Sequence, residues 1–123
     1  MKVLVTDDSK MARKMVVKIL KDLLKEDVEI HEAQNGLEAL ELYKQLLPKI
    51  VFLDLTMPVM DGFEALKKIK EFDQDAKVVI ISADIQKLSI EKASSLGAFN
   101  FIKKPIDSEK MEQILTKINI LAK

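Results

Sequence analysis

Short runs of β-branched and apolar residues recur along the chain: KVLVT from Lys2, VEIHEA from Val28, IVFLDL from Ile50, KVVIIS from Lys77 and AFNFI from Ala98. Between them lie longer segments whose apolar residues fall three or four apart, the spacing of helices that bury one face. The chain therefore reads as five β/α units in succession. IVFLDL and KVVIIS are apolar at neighbouring positions, so both strand faces must be covered. A parallel sheet between two helix layers, a doubly wound α/β fold, is the expected architecture. At 123 residues, 1–123 forms one domain with enough interior to fold without staples.

The spacing predicts a first helix from near Ser9, with Met11, Met15, Val16, Ile19, Leu20, Leu23 and Leu24 on its buried face. Lys10, Arg13, Lys14 and Lys18 take the other faces. Asn35 followed by Glu38 and Asp61 followed by Glu64 read as capping boxes opening the second and third helices. The second carries Leu37, Leu40, Tyr43 and Leu47 and stops at Pro48; the third carries Phe63, Leu66 and Ile69. Leu88, Ala93 and Leu96 mark a fourth helix that ends at Gly97, a residue suited to the left-handed terminating position. Met111, Ile114, Leu115, Ile118 and Leu121 mark a fifth after Asp107-Ser108.

Twenty basic and twenty acidic residues cancel, so no global field favours nucleic acid or an anionic membrane, and any charge-driven function must be local. With no cysteine and one histidine, the chain can build neither a thiolate site nor a histidine metal cluster. The missing cysteine fits a reducing, cytoplasmic setting. No apolar run approaches a membrane span, and the N-terminus is too short for a signal-peptide core.

In doubly wound sheets, ligands bind beyond the carboxyl ends of the strands. The first strand ends in Asp7-Asp8, the third in Asp54, the fourth in Ser82, and the fifth runs into Lys103-Lys104-Pro105. Asp54 alone reads equally well as a cap or turn residue, and one of Asp7 and Asp8 could cap the first helix. Together, close carboxylates without sulfur or histidine suit Mg²⁺. Beside that ion, Asp54 could act as a nucleophile toward a phosphoryl group while Lys104 and Ser82 meet its oxygens.

DD after the first strand, DLTMPVMDG from Asp54, SA at the fourth strand's end and KP after the fifth resemble the receiver domain of two-component response regulators. The resemblance covers the whole chain. It implies a flavodoxin-like (βα)5 sandwich with five parallel strands in the order 2-1-3-4-5. It also implies Asp54 as phospho-acceptor, Asp8 as a direct Mg²⁺ ligand, Asp7 as a contributor, often through water, and the Thr56 carbonyl as a backbone ligand. Lys104 would pair with the phosphoryl group and Pro105 would follow a cis peptide. Ser82 and Phe101 would form the switch pair, read out through helix 4, strand 5 and helix 5. Thr56 and Asp84 would tune the lifetime of the phosphorylated state. The alternative for Phe101 is a plain core phenylalanine of the fifth strand, and it lacks any phenolic hydroxyl.

The resemblance implies a signalling switch that takes phosphate from a histidine kinase or phosphotransfer protein and passes the signal to a downstream protein. Enzymatic activity would be confined to the chain's own phosphorylation and dephosphorylation. Only Ala122 and Lys123 follow the fifth helix, so a stand-alone module resembling chemotaxis regulators is expected, although an excised domain would read the same. The alternatives are a Mg²⁺-dependent phosphohydrolase, against which the lack of a cap domain counts, and a scaffold that has lost phosphorylation. Gly36, Gly62 and Gly97 are too scattered for a nucleotide-binding fingerprint. His31 reads as structural, and Lys10, Met11 and Arg13 as either a partner-facing rim or an ordinary solvated face.

Overall fold

A computed structural model describes residues 1–84 and 86–120, apart from the side chain of Asp27. Leu121 and the Ala122-Lys123 end lie outside the described residues. Five strands, β1 (Lys2–Thr6), β2 (Glu29–Ala33), β3 (Ile50–Leu53), β4 (Val78–Ser82) and β5 (Asn100–Lys103), alternate with five α-helices. These are α1 (Lys10–Leu24), α2 (Gly36–Leu46), α3 (Gly62–Phe72), α4 (Lys87–Ser95) and α5 (Ser108–Lys117). All strand pairs are parallel, in the order β2-β1-β3-β4-β5. This is the doubly wound sandwich expected from the alternation.

The period-2 geometry of a strand sends neighbours to opposite faces, and both faces here are apolar. Val3, Val5, Ile50, Phe52, Val79 and Ile81 meet α1 and α5 in one core. Leu4, Val51, Leu53, Val78 and Ile80 meet α2, α3 and α4 in the other. Tyr43, buried at the far end of α2, donates its hydroxyl to Asp73 at 2.6 Å and so fastens α2 to the end of α3.

Local chemistry sets the helix boundaries. Ser9, Asn35, Asp61 and Asp107 each accept a backbone N–H three residues on, at the starts of α1, α2, α3 and α5. Gly97, at φ 98°, ends α4; its N–H donates to the Ser94 carbonyl and that of Ala98 to the Ala93 carbonyl. The ladders are shorter than the apolar runs suggest: β3 stops before Asp54, and β5 runs from Asn100 to Lys103.

The buried stripe of α1 differs from the apolar spacing. Arg13, Val16, Val17, Leu20 and Leu24 face inward, whereas Met11 is 77% exposed and Met15 is also exposed. The expected apolar set was wider than one helix face can bury, and the inward position near the strand ends goes to a paired guanidinium. Leu88 of α4 is likewise 78% exposed, and Leu37 of α2 is exposed. Ala93 is the one residue of α4 buried in the core, because this short helix touches the sheet along a single line.

Candidate functional site

Parallel pairing brings all strand carboxyl ends to one edge, so residues distant in sequence meet there. Asp7 follows β1 and Asp54 follows β3, both buried, while Asp8 is exposed. Asp54 stays in register because its N–H donates to the Thr6 carbonyl at 3.1 Å. One carboxylate oxygen from each of Asp7, Asp8 and Asp54 lies within 4.8 Å of the others. Lys104, carried past β5 and followed by a cis Lys104-Pro105 peptide, reaches into this group. Its Nζ lies 2.6 Å from Asp7 Oδ2 and 3.2 Å from Asp54 Oδ2.

The second oxygens of Asp7 and Asp54 are also engaged. Asp7 Oδ1 accepts the Ser9 N–H at 2.9 Å, and Asp54 Oδ1 accepts the Leu55 N–H at 2.8 Å. Burial raises the Asp54 carboxyl above its ordinary range, against the pull of the Lys104 charge, and the nearby Asp7 charge adds to the rise. For Lys104, burial works against the charge, but the hydrogen bond to Asp7 and the carboxylate charges outweigh it and raise its pKa. One ammonium thus faces three carboxylates. Gly62 lets the backbone close around the site: a Cβ there would fall 2.1 Å from the Asp54 carbonyl oxygen.

The expected site residues divide into two sets. Asp7, Asp8, Asp54 and Lys104 come together. The buried Ser82 hydroxyl instead accepts the Asp84 N–H at 3.1 Å, while the Lys104 N–H donates to the Ser82 carbonyl at 2.9 Å. The Asp84 carboxylate accepts from the Ser89 hydroxyl at 2.7 Å and the Gln86 N–H at 3.0 Å, which together hold it below the usual carboxylate range. Thr56 is exposed on the loop after Asp54, and Phe101 is half-buried against the α2-α3-α4 core. His31 pairs with Glu29 at 2.6 Å on β2, an edge strand of the sheet.

Arg13, read from the sequence as a rim or solvated residue, is instead buried beside the site, and its partner Glu32 was not singled out by the sequence. Arg13 is 7% exposed; one guanidinium nitrogen donates to the Asp7 carbonyl at 2.7 Å and Nε to Glu32 Oε1 at 3.0 Å. The available sequence signal was an arginine one helical turn past the Asp8-Ser9 cap, with an acidic residue near the end of β2.

The donor set fits a hard divalent cation: three clustered carboxylate oxygens, no sulfur and no imidazole. Fold and site together define a doubly wound α/β module with an acidic cation pocket and a lysine at its strand-end edge. The sequence pattern of the response regulator receiver domain matches residues 3–116, and the chain belongs to that family.

Chemotaxis protein CheY of Listeria monocytogenes is 42% identical over 118 residues, covering 95% of this chain and 97% of that protein. Chemotaxis protein CheY of Thermotoga maritima is 40% identical, covering 96% of this chain and 97% of the relative. Among solved structures, the CheX-CheY-BeF3-Mg complex from Borrelia burgdorferi contains a chain of 37% identity that superimposes with a TM-score of 0.86. That match covers 94% of this chain and 87% of the other. The chain is thus a CheY-like receiver domain, a signalling switch phosphorylated on aspartate, and the phosphohydrolase reading is not favoured. Among the described residues no helix is long and apolar enough to cross a membrane.

Proposed function

We propose that Asp54 is the phosphoryl acceptor, with Mg²⁺ held by Asp7, Asp8, Asp54 and the Thr56 carbonyl. One observation carries this reading: Asp54, buried and raised in pKa, shares a cluster with two carboxylates and lies within reach of Lys104. An Asp54 carboxylate oxygen attacks phosphorus on a phosphohistidine of a histidine kinase or phosphotransfer protein. The P–N bond breaks, and its electron pair leaves with the imidazole, which takes up a proton. Bound Mg²⁺ supplies charge neutralisation for the carboxylates and the phosphoryl oxygens.

The new group brings about −1.5 to −2 charge. Lys104 turns from Asp7 to a phosphoryl oxygen, and Ser82 gives up the Asp84 N–H to reach another. Phe101 then moves into the space that Ser82 leaves, biasing the α4-β5-α5 surface read by a downstream protein. Thr56 and Asp84 border the path of the hydrolytic water and set the lifetime of the signal. The CheY relatives support chemotaxis as the setting and the cytoplasm as the location; no direct nucleic-acid contact or membrane insertion enters the reading.

Incubation with acetyl phosphate and Mg²⁺, followed by intact-mass measurement, tests the acceptor. The expected result is a single phosphoryl adduct, not formed when a chelator is added beforehand and absent in Asp54→Asn. An adduct that persists in Asp54→Asn would overturn the assignment.

A further inference from the structure

A buried guanidinium is costly unless its charge and donors are satisfied, and a buried ion pair alone is weak evidence of a stabilising role. Arg13 is satisfied in an informative way. Its charge is matched by Glu32 at 3.0 Å, and its other contact, at 2.7 Å, is the backbone carbonyl of Asp7. Glu32 is itself held by Lys14 at 2.8 Å, and these two cations keep its carboxyl below the usual range despite partial burial.

Asp7 is gripped from several sides. Its N–H donates to the Ala33 carbonyl at 3.2 Å, Oδ1 accepts from Ser9 and Oδ2 from Lys104. A cation entering the cluster competes with Lys104 for the carboxylate. Among the described residues, Arg13 is the side chain that holds Asp7 without using that carboxylate, so its grip survives the exchange. Arg13 also belongs to the helix capped by Ser9, which closes a loop from Asp7 through Ser9 and α1 back to the Asp7 carbonyl.

We propose that Arg13, with Glu32 as its counter-charge, is a positioning residue that presets the Asp7 carboxylate for the divalent cation. This rests on the reading of the carboxylate cluster as the Mg²⁺ site. Contacts that orient a metal-binding carboxylate in this way commonly contribute about 10-fold or more in metal affinity. The sign of the effect separates positioning from charge: removing a nearby cation by electrostatics alone would tighten Mg²⁺ binding, whereas releasing Asp7 weakens it.

Calorimetric titration of MgCl₂ into the full chain is the test, with Arg13→Ala and the charge-retaining Arg13→Lys beside the unaltered protein. Arg13→Ala is expected to raise the Mg²⁺ Kd by about 10-fold. Arg13→Lys, which can donate to one partner but not as a fork, should fall between. In the metal-free proteins, hydrogen exchange at the Ser9 amide should quicken in both variants, since its acceptor Asp7 is no longer fixed. A folded Arg13→Ala with unchanged or tighter binding overturns the proposal. If Arg13→Ala does not fold, Arg13→Lys decides: unchanged affinity and unchanged Ser9 exchange overturn it. Failure of the unaltered chain to bind Mg²⁺ would instead overturn the metal-site reading, and this inference with it.

Discussion

Val59 sits in the loop from Asp54 to α3 with φ 69°, a left-handed backbone that a β-branched side chain rarely adopts. The Met60 N–H closes a tight turn around it onto the Pro58 carbonyl at 2.7 Å, and the side chain is 77% exposed, so packing returns little for the strain. Asn tolerates this region without the extra unfolded-state freedom of Gly. Val59→Asn should therefore stabilise the protein by about 1 kcal/mol, read from the urea midpoint at unchanged slope. A lower midpoint would show that the valine contributes something the backbone angle does not reveal. Residue by residue, the sequence told most about Asp54, because a carboxylate in an apolar run must find partners. It told least about Arg13, which it read as part of a partner-facing rim or of an ordinary solvated face, whereas the side chain is buried. Its burial depends on Glu32, and only the Val5-to-Glu32 register of β1 and β2 brings that carboxylate alongside.

At the scale of elements, capping chemistry was the most legible signal. Asn35, Asp61 and Asp107 announce helix starts through contacts made within three residues, so no tertiary information is needed. Strand ends and buried helix faces depend on register and packing, and there the apolar pattern overreached at Met11, Met15 and Leu88. The start of α4 was also hidden, because its N-cap Gln86 makes no side-chain cap bond. Asp84 supplies that role from two residues earlier, accepting both the Gln86 N–H and the Ser89 hydroxyl. With Ala93 alone buried, α4 is weakly anchored, and helices of this length depend on such end contacts. Asp84→Ala should speed hydrogen exchange at the Gln86 amide and the first turn of α4 while leaving α5 unchanged; Ser89→Ala should give a smaller effect. Equal protection in all three proteins would refute a capping role for Asp84.

For the whole molecule, two apolar cores on either side of the sheet hold a charged edge that gains stability only when its charges are matched. Glu32 and Glu29 are held below the ordinary carboxylate range by hydrogen bonds from Lys14 and His31, Asp73 by Tyr43 and Asp84 by Ser89. A depressed folded-state pKa contributes stability that is present above the unfolded value and lost as pH falls through the folded one. The melting temperature should therefore fall as pH drops below about 4.5, and Glu32→Gln should flatten part of that slope. The strand-end cluster sets a second dependence, at neutral pH. Among the described residues, Lys104 is the ammonium paired with a cluster of three carboxylates, so an ion bound by the folded state and not by the unfolded chain draws the equilibrium toward the fold. At ten times its Kd, Mg²⁺ should add about 1.4 kcal/mol to the unfolding free energy. The increment should vanish with excess chelator and shrink in Asp8→Asn, which removes an exposed carboxylate of the cluster with little effect on packing. Thermal melts across a Mg²⁺ series measure it, and a melting temperature indifferent to Mg²⁺ would mean that the clustered oxygens hold no ion.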